Sequence, residues 1–139
     1  MLIDEIRKAK IQAMKDHDED KKNAFSMVLT RYQVLETSGK EGEIGDAEVL
    51  AIIQKFAKEL DEEAEGYKAA GREDSYRSTL AQKEAVSAFL PKQMSEEEIK
   101  AEILSLPDRS IPSVMKHFKA NHAGEVDMGL VSKIARSLQ

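Results

Sequence analysis

Two imidazoles lie close together near the C-terminus, His117 and His122, while His17 sits in the charged stretch 16–20. Paired histidines ligate a zinc-class metal when they share a helix face, as an i, i+4 pair does. Five residues apart on a continuous helix they stand ~140° from one another. The spacing therefore predicts solvated or locally bonded rings and no metal site. Carboxylates fare no better as ligands or as a general acid–base pair. Glu62 and Glu63 adjoin instead of converging, and Glu96, Glu97 and Glu98 follow Ser95 in a capping arrangement where negative charge suits a helix N-terminus.

The nucleophiles and cradles of self-contained enzymes are missing from the sequence. There is no Cys, so neither a thiol nucleophile nor a thiolate zinc site nor a disulfide is available. No Gly-x-x-x-x-Gly-Lys-Ser/Thr or Gly-x-Gly-x-x-Gly stretch offers a phosphate loop, and no Gly-x-Ser-x-Gly elbow presents a serine. No catalytic residue and no cofactor is expected on these grounds.

What remains is contact chemistry. In Gly71-Arg72-Glu73-Asp74 the glycine suits a helix end and the acids suit the next start, but Arg72 is not required by either. Its guanidinium could grip a carboxylate or phosphate bidentately. Lys92 and Gln93 raise the same question: Pro91 explains a turn, not the cation and amide that follow it. Overall 21 Lys/Arg against 26 Asp/Glu gives a net charge of −5, which argues against general nucleic-acid coating. Residues 110–139 differ locally, since Lys116, Lys119, Lys133 and Arg136 face only Glu125 and Asp127, a net of +2. Such cations would meet an RNA backbone in a salt-dependent manner. Phe118 has core periodicity, so base stacking on an exposed ring is not expected.

The elements that must position these groups read as helices throughout. Leu2, Ile6, Ala9 and Ala13 form one stripe. Asp18 caps a second helix carrying Phe25, Val28, Leu29, Tyr32 and Leu35. The glycine-rich stretch 38–45 reads as a loop. Asp46 is expected to cap a third, long helix with Val49, Ile52, Ile53, Phe56, Leu60, Ala64 and Tyr67 on one face. Gly71 ends it, and a fourth helix follows with Tyr76, Leu80, Val86, Phe89 and Leu90 inward. Pro91 breaks the run and separates two parts, 1–90 and 94–139. Ser95 and Glu98 make a capping box for a helix with Ile99 and Ile103, stopped by Pro107. Ser110 is expected to cap the next, with Ile111, Val114, Met115 and Phe118 inside and Gly124 at its end. Asp127 caps the last, which buries Leu130, Val131, Ile134, Ala135 and Leu138. Seven helices and no strand predict an all-α protein, with long antiparallel helices followed by a compact three-helix domain.

Three segments, in this order, carry a family resemblance: Ala70-Gly71-Arg72-Glu73-Asp74, then Phe89-Leu90-Pro91-Lys92-Gln93-Met94-Ser95-Glu96-Glu97-Glu98, then Leu130-Val131-Ser132-Lys133-Ile134. Together they resemble the YqeY family, which shares a domain with the tail of the amidotransferase subunit GatB. That family often has a basic Gly-Arg-Ala-Asp-Gly stretch before the last helix. Here the matching stretch, Asn121-His122-Ala123-Gly124-Glu125-Val126-Asp127-Met128-Gly129, is acidic and suits phosphate less well.

The resemblance implies a tRNA- or amidotransferase-associated binding module, with tRNA or an amidotransferase complex as partner. It also leaves open carbon–nitrogen ligase activity with glutamine as nitrogen donor, and a helical scaffold or homo-oligomer. The expected contact residues are Arg72, Lys92, Gln93, Lys116, Lys119, Lys133 and Arg136. No apolar run approaches the ~20 residues a membrane span needs, and the first residues carry no basic-then-apolar leader, so a cytoplasmic location is expected.

Overall fold

The structure, a computed structural model, describes residues 1–39 and 44–139. The expected loop at 38–45 lies in part outside the described residues. Among those described there are seven helices and no strand, as the helical periodicity requires. They are α1 (Leu2–Lys15), α2 (Glu19–Glu36), α3 (Asp46–Ala69), α4 (Glu73–Ser87), α5 (Glu96–Ser105), α6 (Ile111–Asn121) and α7 (Met128–Ser137). None is long and apolar enough to cross a membrane. The chain divides into two compact units, Met1–Phe89 and Leu90–Gln139.

The first unit is built on the pair α3 and α4, joined by a turn so short that the helices run antiparallel. Gly71 sits in that turn at φ +72°, a left-handed conformation that a residue with a Cβ adopts only at a cost. Val49, Ile53, Phe56, Ala57, Leu60 and Ala64 are buried along α3, close to the stripe read from the sequence. Lys83 and Asp61 bridge the pair at 2.6 Å. Against it pack α2, through Ala24, Phe25 and Val28, and α1, through Ile3, Ile6 and Ala13. The Phe25 and Phe89 rings meet edge to face at 5.7 Å, although Phe89 lies beyond the last turn of α4. The buried face of α4 is Thr79, Ala85 and Val86. Thr79 escaped the apolar pattern because its hydroxyl is satisfied within the helix, donating to the Ser75 carbonyl at 2.8 Å.

Asp46 also departs from expectation. Gly45 is the N-cap of α3, and its amide donates to Glu48. The Asp46 carboxylate instead accepts from the Leu2 amide at 3.0 Å, satisfying an orphan donor in the first turn of α1.

In the second unit Ser95 starts α5 with a complete capping box: its hydroxyl accepts from the Glu98 amide, and Glu98 accepts from the Ser95 amide, both at 3.1 Å. Those hydrogen bonds, with Lys92 nearby, hold the Glu98 carboxyl below its ordinary range. Ser110 occupies the N-cap of α6 without using its hydroxyl as a cap. Asp108 takes that place, accepting from the Ser110 amide and the Ser113 hydroxyl at 2.9 and 2.7 Å. Asp127 caps α7 through the Gly129 amide. The core is Ile99, Ile103, Val114, Phe118, Val126, Val131 and Ala135, with Ile134 and Leu138 only half-buried around it.

No atom lies within 4 Å of a Cβ added at Gly71, so a Gly71→Ala change meets no clash and pays only for its backbone conformation. Urea unfolding should show a loss of ~1–2 kcal/mol, with the helical circular dichroism of the folded state unchanged.

Candidate functional site

The densest polar constellation among the described residues lies in the second unit, where α5, α6 and the turn after α6 meet. Burial of Ile99 and Ile103 places Glu102 at the margin of the buried face of α5, and burial of Val114 and Phe118 does the same for His117 on α6. The chain then leaves the helix. Asn121 is its last residue, and His122 has φ −131° and ψ 36°. Gly124, expected at the helix end, comes later, in a left-handed conformation (φ +78°) inside the turn. The 140° separation holds only for a continuous helix, so it fails here, and both imidazoles come to the same carboxylate.

The convergence is on one atom. His117 Nε2 lies 2.8 Å and His122 Nε2 2.5 Å from Glu102 Oε2. On the far side of its ring, His122 Nδ1 lies 3.3 Å from Glu125 Oε1, and the Asn121 amide lies 3.3 Å from His117 Nδ1. Phe118, fully buried, is flanked by both rings with centroids 5.4 Å away. The three side chains are half-buried, at 21–30% exposure, so the cluster is walled by protein yet reachable from water.

Backbone contacts hold the turn in place. The Glu125 amide donates to the His122 carbonyl at 3.0 Å, and the Met94 amide to the Glu125 carbonyl at 2.8 Å. The Gln93 side-chain amide donates to the Gly124 carbonyl at 2.7 Å and to that of Pro91 at 2.9 Å. Gln93, a contact candidate in the sequence, thus has an internal task that explains an amide directly after the Pro91–Lys92 junction. Sequence reasoning missed Glu102 and Glu125 altogether; the only signal was the acidic character of the 121–129 stretch.

None of the remaining candidates hydrogen-bonds to Glu102, His117 or His122 among the described contacts. Arg72 is exposed in the first unit, with its guanidinium over the Tyr67 ring at 5.2 Å. Lys92 is exposed beside the α5 capping box. Lys116 and Lys119 project from α6, Lys133 and Arg136 from α7, and all four are exposed. Among the described residues none of these four is held in an ion pair. Each pair is spaced i, i+3 and is therefore adjacent on its own helix.

The first unit offers a groove of about 500 Å³ between α1, α2 and α4, floored by alanines and Phe25 and rimmed by Asp16, Asp18, Asp20 and Glu84. Three of these carboxylates already have work. Asp16 accepts from Gln12, Asp18 caps α2 at Lys21, and Asp20 accepts from Ser78. The groove assembles no acid–base pair.

The sequence pattern of a family described as Yqey-like protein matches residues 3–138, nearly the whole chain. Comparison with curated proteins gives no match.

Burial opposes a charge on His122, but the hydrogen bonds to Glu125 and Glu102, reinforced by their charges, outweigh it and raise its pKa above the ordinary 6.5. A raised folded-state pKa stabilises fully below the unfolded value and loses that contribution as pH climbs through the folded one. The stability difference between wild type and His122→Gln should therefore be largest between the carboxylate range and pH 6.5, and shrink above it. Urea titrations at stepped pH measure this; a difference that grows with pH contradicts it.

Proposed function

The chain belongs to the YqeY family, and from that premise we propose that it is a binding module that touches tRNA, on its own or within an amidotransferase complex, without self-contained catalysis. One observation supports the reading above others: α6 and α7 carry Lys116, Lys119, Lys133 and Arg136 as exposed cations with no ion-pair partner among the described residues. Cations committed to intramolecular pairs must break them to bind phosphate, whereas these four need not. A chain with net charge −5 whose residues 110–139 carry a net of +2 restricts where a polyanion can settle. The domain that the YqeY family shares with the GatB tail supports tRNA as the polyanion.

The mechanism is electrostatic. Each cation that meets a phosphate releases condensed counterions, so affinity falls steeply with salt. Four such contacts would lose on the order of 10²-fold in affinity for a fourfold rise in salt. Arg72 and Lys92 are separate from this set and serve as comparison positions.

Electrophoretic titration with deacylated and charged tRNA at several salt concentrations tests the reading. A variant with Lys116, Lys119, Lys133 and Arg136 all changed to Gln should bind more weakly and with a shallower salt slope, by roughly one unit per lost contact. Absence of any shift at low salt, or equal affinity of variant and wild type, refutes it. Glutamine-dependent amidation of Glu-tRNA(Gln) by the purified protein would refute the non-catalytic part.

A further inference from the structure

We infer that Glu102, His117 and His122 form a binding site for one divalent cation of the zinc class. Two imidazole nitrogens and one carboxylate oxygen come together, and all three ligand atoms lie within 4.8 Å of one another. The donor set sorts the metal. Two imidazoles and a carboxylate suit zinc and its neighbours, whereas magnesium and calcium take nearly all-oxygen shells. Two histidines and a glutamate also leave a coordination position free for water or a partner's donor.

Each Nε2 lies within hydrogen-bonding distance of Glu102 Oε2, at 2.8 and 2.5 Å. Ligands of a tetrahedral ion at ~2.0–2.1 Å stand ~3.3 Å apart, so each of the two nitrogen–oxygen gaps would widen by less than ~1 Å to admit one. Glu102 has the freedom to allow this, because its side chain is about a quarter exposed and its helix backbone need not move. Binding requires the imidazoles as free nitrogen donors, so any proton on a ligating Nε2 is released to solvent.

The surroundings are those of a site held in readiness. A metal-bound imidazole is oriented by a hydrogen-bond partner on its other nitrogen. Glu125 stands there for His122, as an acceptor for the ring's Nδ1–H. The ligands arrive from α5, α6 and the following turn, and that turn is fastened by Gln93, Met94 and the backbone of His122 itself. The buried Phe118 ring supplies an apolar wall beneath both imidazoles. A hydrogen-bonded tether between α5 and α6 needs one histidine; the second brings a third ligand atom within 4.8 Å of the other two.

The test uses the full chain stripped with a chelator, then titrated with Co²⁺, read by its visible d–d bands, and with Zn²⁺ by calorimetry. One ion per chain is expected, with Mg²⁺ and Ca²⁺ failing to compete. His117→Ala and His122→Ala should each lose at least ~10²-fold in affinity, while Glu125→Gln, which changes only the outer partner, loses ~10–100-fold. His17→Ala, far along the sequence, should bind as wild type does. Circular dichroism checks each variant, and Glu102→Gln, isosteric with the native side chain, carries the test wherever an alanine variant fails to fold. No Zn²⁺ binding by the wild type, or binding untouched by His117→Ala and Glu102→Gln, overturns the site. The result is separate from that of the tRNA titration, since the phosphate-facing cations contribute no ligand.

Discussion

The rotational setting of α6 governs the second unit, and the burial of Phe118 determines it. With that ring fully enclosed, Val114 one turn earlier is enclosed too, and His117 falls at the edge of the buried face beside α5. The same setting sends Lys116 and Lys119 to solvent. One packing decision thus produces both features to which chemistry can be assigned: an imidazole–carboxylate cluster at the margin of the core, and cations pointing away from it. Packing of this kind is stiff, because a fully buried aromatic cannot rotate its helix without opening a void.

Much of this was legible because it is local. The Ser95–Glu98 capping box, the left-handed Gly71, the stop at Leu106 before Pro107 and the apolar stripe of α3 each depend on residues within one or two turns of each other. A sequence displays such relations directly. What it hid was relational across distance. Asp46 sits where a cap for α3 belongs, yet serves the start of α1 44 residues away. Gln93 invited assignment to a partner, and 31 residues on it holds the Gly124 carbonyl.

The histidines illustrate a different failure. Helical-wheel arithmetic on His117 and His122 is sound only while the backbone stays helical, and here it stops at Asn121. No strong stop signal lies at that position; Gly124, the visible one, acts three residues later within the turn. The strap from Gln93 and Met94 holds the turn in place, and its donors lie ~30 residues upstream, invisible to any window of helical length. Glu102 was hidden for the same reason, since nothing in α5 alone marks one exposed-looking glutamate as the meeting point of two rings.

These observations bear on how such a small helical chain can act. In the first unit the groove's acidic rim is largely spent on capping and inter-helix hydrogen bonds, so its carboxylates serve the fold before any ligand. In the second unit the titratable groups are instead drawn together, with more hydrogen-bonding capacity at one oxygen than a tether between two helices consumes. The contacts at that oxygen also join α5 to α6 and to the turn that leads into α7. The polar cluster and the basic surface are two faces of the same three-helix packing.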